Sequence, residues 1–519
     1  MDAARTLPGK APPARVAWRV TPLRLTAALI LLALAVRLNG LGLRPLWLDE
    51  GYSAWFVGRS WHELWTVVPT YEPHPPFYYS LLKLWSDLAG SSAVALRSFS
   101  ILVSILTIPV VVAASGELER QHPTGRPLLS TGVAGFLAAC SPMFLLLDQE
   151  ARPYPLLIFA YAVAVWGLVR LLGEFAERKP GRWSSWAMLA AGAELTLWAH
   201  GLGVLYAVCL ALALAPAWLK PPTDRRRLAR GMLAAAAVAL LYLPCLLMIL
   251  GRAGDWGTGW LSWEWVKLLE LLTLYSVPYE LLTVGSAVAA LAMLLLAKRG
   301  IQSALQGEGW TSEKAILLLW SGPPLMAIAI SILFMPVFLP RTLAPTLVPA
   351  YLAIGAAVAR INSRQERHVL LAALFLPLLV TAAQVGRRPP AEQWGQVASY
   401  LRQHVAAGDQ VWLYPNDSAL PLRSAGAGNL PMRGIPGDYP AVGFKGPIRA
   451  GSPAVVSLTA PQARQIAYAG EAQRIWLVTR QSALFDPRGD LPRALAEVRR
   501  PGRLEQWGYI SVQPYDLKH

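Results

Sequence analysis

The chain has 519 residues, 55% of them apolar and only 15% charged, with a mean hydropathy of +0.39 and a net charge of +16. Apolar runs of about 17–25 residues recur through the first three quarters, the length that a bilayer core demands, which excludes an ordinary soluble protein. A nucleic-acid binder is a poor account of the positive charge, because the basic residues gather in short loops between apolar runs, as positive-inside topology requires.

Residues 1–24 are basic and Pro-rich and read as a cytoplasmic tail. The apolar run from Leu25 lacks a small-residue cleavage site and continues through Arg37 and Asn39, so an uncleaved first helix is expected. Next comes a long loop, 44–92, with two Trp-rich amphipathic pieces, Tyr52 to Trp65 and Phe77 to Trp85, expected to lie in the interface. Further spans are expected near 93–114, 127–147, 154–173, 184–200, 201–218, 231–251, 281–297, 315–335, 343–359 and 369–385, about eleven with the first. Loops rich in Lys and Arg alternate with loops poor in them, which predicts a cytoplasmic N-terminus. The same alternation places the Asp49 loop, the Asp148–Arg152 connector, the Trp-rich loop 252–280 and Arg341 together on the outer face.

From about residue 386 the composition changes. Glu392 to His404 has helical spacing, Gln410–Tyr414 and Arg474–Thr479 read as strands, and Pro/Gly-rich turns fill 421–450. The expectation is an α-helical polytopic membrane protein over 25–385 with a C-terminal soluble α/β domain over 386–519, outside the membrane. Cys140, Cys209 and Cys245 all fall in apolar runs and carry no redox message. Most of the 21 tryptophans flank spans, where interfacial anchoring accounts for them.

Asp49 and Glu50 stand at the far end of the first span, where carboxylates need water or a partner. Asp49 reads as the N-cap of a helix starting near Gly51, as a base that takes a proton from an attacking hydroxyl, or as both. Asp148, Glu150 and Arg152 are dense for so short a connector: the acids suit a metal or a sugar hydroxyl, and the arginine suits a phosphate. His74, fixed among Pro73, Pro75 and Pro76, suits a phosphate or a divalent metal shared with Asp148 and Glu150. His200 ends a span on the same face. Arg37 and Glu194 are ionisable groups within apolar runs, with a pairing between them as the structural alternative. Arg341 opens a later span, where it snorkels or meets a lipid phosphate; Lys83 and Arg97 are weaker candidates of that kind. In the loop from Gly254 to Trp265, Trp260 and its neighbours read as an interfacial segment or as sugar-stacking faces. There is no Walker A motif, no GxGxxG after a strand and no HExxH.

Leu48-Asp49-Glu50 after the first span, His74-Pro75-Pro76-Phe77-Tyr78-Tyr79, and then Glu150-Ala151-Arg152-Pro153-Tyr154 resemble, in that order, the GT-C membrane glycosyltransferases. Among these the chain looks most like the bacterial relatives of protein O-mannosyltransferases (glycosyltransferase family 39) and the lipid A aminoarabinose transferase. The resemblance covers nearly all of the membrane part. It implies Asp49 as catalytic base with help from Asp148 or Glu150, and a sugar on a polyprenyl phosphate as donor; Glu50 is counted with the catalytic acids as the neighbour that shapes the site. The implied acceptor is a lipid, glycan or protein at the outer face of a bacterial inner membrane. Pro73-His74-Pro75-Pro76 departs from the Glu-Lys-Pro-Pro of aminoarabinose transferases, so His74 stands where their lysine meets phosphate.

The expected mechanism is one inverting displacement. Asp49 takes the acceptor proton, Arg341 and Arg152 with His74, His200 and Arg37 hold the donor phosphate, and Tyr52, Tyr78, Tyr79, Tyr154 and Trp260 hold sugar or acceptor. Rival readings are a lipid-linked sugar flippase, a glycan ligase or polymerase with a diphosphate-linked donor, and a noncatalytic polyprenyl-sugar binder.

Overall fold

The computed structural model describes residues 21–221, 224–251, 263–265, 268–269, 284–390, 392–448 and 452–518. Trp260 and most of the Trp-rich loop lie outside the described residues.

Helix α1 (Pro22–Leu38) opens on Thr21, whose hydroxyl accepts the Arg24 amide at 3.3 Å. Three short helices then occupy the first loop: α2 (Leu48–Val57), α3 (Trp61–Thr66) and α4 (Pro76–Ala89). Ser60 and Glu63 form a capping box for α3, and Pro76 starts α4 where its missing amide costs nothing. Longer helices follow: α5 (Ala93–Gln121), α6 (Pro127–Cys140), α7 (Pro142–Asp148), α8 (Tyr154–Ala176), α9 (Trp183–Ala199), α10 (Gly203–Trp218) and α11 (Arg225–Leu250). After the undescribed stretch come Val284–Gln306, Ser312–Leu333, the 3-10 turn Pro340–Thr346 running into Leu347–Ala359, and Arg364–Val385.

Each expected span coincides with a helix, while the count of eleven crossings is not confirmed. Among the described residues seven helical stretches are long and apolar enough to cross a membrane, or eight if α6 and α7, bent by 47°, are one. Helices α1, α9 and α10 have only 17, 17 and 16 residues. The bend falls where Pro142 removes an amide donor from the helical ladder.

Side-chain contacts sort the connectors into two ends. At one end Arg126 donates to the carbonyls of Ala359 and Ile361, Arg360 pairs with Glu313 at 2.6 Å, and Arg299 pairs with Glu366. At the other end the first loop meets Gln149, Ala151, Arg152, His200 and Arg341. Gly40, with φ +73°, presses against Gly386: a Cβ on it would stand 2.1 Å from the Gly386 carbonyl oxygen. That close approach joins the end of α1 to the end of Arg364–Val385 and admits no side chain there.

The C-terminal module holds a six-stranded mixed sheet: β1 (Gln410–Tyr414), β2 (Met432–Gly434), β3 (Arg474–Arg480), β4 (Arg499–Pro501), β5 (Glu505–Trp507) and β6 (Ile510–Leu517). The order is β2-β1-β3-β6-β4, with β5 also on β6; β1 runs parallel to both neighbours and β6 antiparallel to β3. Alternation along β1 makes two layers of core. Val411 and Leu413 pack with Trp394, Val397 and Leu401 of helix Trp394–His404. Trp412 and Tyr414 face helices Ala460–Tyr468 and Asp490–Val498 on the other side. Leu420, Tyr439, Val455 and Phe485 instead join the hydrophobic core of the membrane part, so the module is docked on it.

Candidate active site

Asp49 lies in the first turn of α2. The helix starts at Leu48, one turn earlier than the expected cap position implies, so Asp49 is inside the helix and not its N-cap. The exposed α2 amides are met by other carboxylates: Glu50 Oε2 accepts from the Trp47 amide at 3.3 Å, and Glu392 Oε2 from the Leu48 amide at 2.8 Å. Asp49 is thereby left pointing sideways, 19% exposed, with Arg341 Nη2 3.6 Å and Arg152 Nη2 3.8 Å from its Oδ2. Arg152 also donates to the Asp49 carbonyl at 3.1 Å. The Arg341 guanidinium sits about 6 Å from the ring centres of both Trp47 and Tyr154, an aromatic cradle. Among the described residues, Nε of Arg341 and Nε of Arg152 are buried without a hydrogen-bond partner. Two cations with unspent donors beside a half-open carboxylate form a site for an anion next to a base.

Glu50 turns the other way and is fully buried. Arg97 grips it with two bonds of 2.7 Å, and the Ala151 amide donates to it at 2.9 Å. This carboxylate clamps the first loop to α5 and to the 149–153 connector. Asp148 is equally enclosed, accepting from Ser104 at 2.6 Å and from Arg37 at 2.8–2.9 Å. Arg37 spends its remaining donors on the carbonyls of Ala33, Ala138 and Ala139. The partner of Arg37 is thus Asp148; Glu194 bonds Trp198 instead. An arginine saturated inside the bundle is not placed to hold a donor phosphate. Lys83 donates to the Val57 carbonyl, and Arg97 belongs to Glu50.

His74 and His200 meet at 3.2 Å through their Nε2 atoms. Because His200 Nδ1 accepts the Leu202 amide at 3.0 Å, its proton is on Nε2 and points at His74. His74 Nε2 therefore accepts, and its Nδ1–H donates to Glu72 Oε1 at 2.6 Å. Tyr79 donates to the same oxygen at 2.9 Å. Burial works to raise the Glu72 carboxyl, but His74, Arg152 and Tyr79 together outweigh it and hold the group below its ordinary value.

Glu150 lies beyond Asp49 on the 149–153 connector, with Arg388 Nη2 3.6 Å from Oε1. Burial and the charge of Glu50 push its carboxyl up to about 7, against the pull of Arg388 and Arg341. Arg388 and Arg44 both reach Gln149 Oε1, at 3.5 and 3.3 Å. Burial, with Arg388 and Arg97 near it, lowers Arg44 to about 10.

Of the aromatic candidates, Tyr154 borders the site beneath Arg341. Tyr78 and Tyr79 are buried in the core between α4 and its neighbours, which removes both from a sugar surface. Tyr52 is turned to the C-terminal module, donating to Asp417 Oδ2 at 2.5 Å. Asp148, Glu150 and His74 each hold a different partner and do not converge. Among the described residues no three His, Cys, Asp or Glu side chains are grouped as metal ligands.

Sequence reasoning overlooked Glu72, Arg388 and the Glu392–Leu48 bond. Arg388 and Glu392 follow the last span on the outer side, and that position was the available signal.

No family model matches the sequence, and no curated protein does. Among solved structures, the fold matches ArnT from Cupriavidus metallidurans bound to undecaprenyl phosphate with a TM-score of 0.60 and 14% identity, over 94% of this chain and 97% of that one. Its apo state gives 0.59 and 13% over the same shares. An Archaeoglobus fulgidus oligosaccharyltransferase in complex with Zn and sulfate gives 0.53 and 12%, over 91% of this chain and 70% of that one. The chain has the fold of the GT-C membrane glycosyltransferases.

Proposed function

We propose that the protein transfers a sugar from a polyprenyl-phosphate donor to a lipid, glycan or protein hydroxyl at the outer face of the membrane, by one inverting displacement. One observation carries this reading: Asp49 is partly exposed and stands beside Arg152 and Arg341, whose Nε donors have no partner among the described residues. In this scheme Asp49 takes the proton of the acceptor hydroxyl as its oxygen bonds to the anomeric carbon. The bond from that carbon to the phosphate oxygen breaks, and both electrons leave with the phosphate. Arg341 and Arg152 turn toward the phosphate and neutralise the charge that grows on it. A phosphate is already a good leaving group, so no second carboxyl need act as strong acid, unlike in glycoside hydrolysis. Glu50 and Asp148 serve as positioning groups, and Glu150, whose pKa is raised to about 7, lowers the negative charge beside the phosphate by holding a proton. The basic ends of the helices face the cytoplasm in this scheme, and the C-terminal module lies outside.

Support also comes from the comparison fold, one member of which was solved with undecaprenyl phosphate bound. The test is product analysis with purified protein and synthetic polyprenyl-phosphate sugars. Release of polyprenyl monophosphate with an inverted anomeric centre is expected. Retention of configuration, dependence on a diphosphate-linked donor, or movement of intact donor between leaflets would each overturn the reading.

A further inference from the structure

At the end of the bundle opposite Asp49, a cleft of about 730 Å³ opens between the C-terminal ends of α5, α8 and α10 and the starts of α9, α11 and Ser312–Leu333. Helix α5 measures the separation: Arg97 beside Glu50 and Gln121 in the cleft are roughly 36 Å apart along its axis. The cleft belongs to no part of the site described above.

Its walls carry six cations, Arg120, Arg170, Lys179, Arg182, Lys220 and Arg227, against three carboxylates. The carboxylates are already engaged: Glu117 with Arg120, Glu177 with Lys179, and Glu174 with Arg182 at 3.9 Å. Among the described residues neither Arg170 nor Lys220 makes an ion pair. Arg170 rests near the Trp166 ring, 6.0 Å from its centre, and reaches Met188 Sδ at 3.2 Å, both weak substitutes for an anion. A half-buried arginine and an exposed lysine facing one concave space leave a positive site that no described carboxylate balances.

Two further features say what fills it. Trp166 and Trp310 line the cleft and Trp183 stands exposed at the same end, the depth at which tryptophans meet lipid headgroups. Helix α11, which contributes Arg227 from its first turn, then exposes nearly its whole apolar length, beginning with Met232 and Leu233. A soluble anion has no use for that wall; acyl chains do.

We propose that this cleft binds the phosphate headgroup of an anionic phospholipid in the leaflet opposite the Asp49 site. Arg170 and Lys220 contact the phosphate, and the acyl chains lie along α11. The inference stands on the cleft alone and does not depend on the proposed sugar transfer.

Native mass spectrometry of the detergent-purified full chain tests it, with phosphatidylglycerol and phosphatidylcholine of matched acyl chains as probes. The expected result is one phosphatidylglycerol held about tenfold or more tighter than phosphatidylcholine. The pair Arg170→Gln and Lys220→Gln should abolish that preference, and millimolar inorganic phosphate should not displace the lipid. Equal retention of the two lipids, or an unchanged preference in the double variant, would overturn the proposal. Displacement by phosphate alone would assign the cleft to a soluble anion and overturn it as well. Should the double variant fail to fold, Lys220→Gln alone decides: a reduced preference supports the site, an unchanged one removes it.

Discussion

The carboxylate of Glu392, at the start of the C-terminal module, accepts a hydrogen bond from the backbone amide of Leu48, the first residue of the helix that carries Asp49. Its other bonds, from Trp394 Nε1 at 2.6 Å and Tyr509 at 3.2 Å, belong to the module, so the contact ties the two parts of the chain together. Around it Ser424 accepts the Leu46 amide, Asp417 joins Tyr52 to Arg480, and Leu420 fills the space over Gly51. The module therefore orients the first turn of α2, and its Glu392 and Tyr509 lie near enough to Asp49 to feel its charge.

A positioning role makes a distinct kinetic prediction. Glu392→Ala should lower kcat on the order of 10- to 100-fold with little change in the donor KM, because a small displacement of a base costs rate more than binding. Glu392→Gln keeps an acceptor oxygen and should recover most of the loss. Steady-state kinetics checks both, and hydrogen exchange at the Leu48 amide should quicken only in the alanine variant. A Glu392→Ala enzyme with normal turnover would contradict the role.

The Glu50–Arg97 pair predicts a stability effect. Both side chains are buried, so Arg97→Ala strands a carboxylate and should cost about 3–5 kcal/mol. Replacing both at once, Glu50→Gln with Arg97→Met, leaves no unpaired charge and should restore part of that loss. Unfolding followed in detergent checks the ordering. Arg97→Ala as stable as wild type would show that the pair holds nothing.

Glu150 predicts a pH dependence. Its pKa rises on folding from 4.5 to about 7, so between those values the folded chain holds a proton that the unfolded chain has released. Stability conferred by that proton is present at low pH and is lost as pH rises through the window. Glu150→Gln has no such proton to lose. The melting temperature of wild type relative to Glu150→Gln should fall between about pH 5 and about pH 7.5. A difference independent of pH would place the Glu150 carboxyl near its ordinary value.

Much of this arrangement was legible before any coordinates. Hydropathy located each membrane helix, and the alternation of basic loops brought Asp49, Arg152, His200 and Arg341 to one end. Pattern alone also located β1 and β3, whose side chains are buried on both faces. Strands β2, β4 and β5, three residues each, carry too little periodicity to read. Partner choice inside the bundle was not legible either: the sequence offered Arg37 only Glu194 as an acid partner, and packing against Ser104 and the α6 carbonyls selects Asp148. Glu50 looked like Asp49 in sequence, yet a helix beginning at Leu48 points adjacent side chains about 100° apart, one into the cluster and one into the core. The Glu392–Leu48 bond joins positions 344 apart, beyond the range of any local signal.

The central claim is that Asp49 acts as a base and not as a binding group. Single-turnover transfer by Asp49→Asn, started after the donor has been bound and its affinity measured, separates the two most directly. Donor affinity should stay near that of wild type, because the two arginines remain, while the transfer step slows by about 10²–10⁴-fold, the typical value of general-base catalysis. Transfer at the wild-type rate with donor bound would contradict the account.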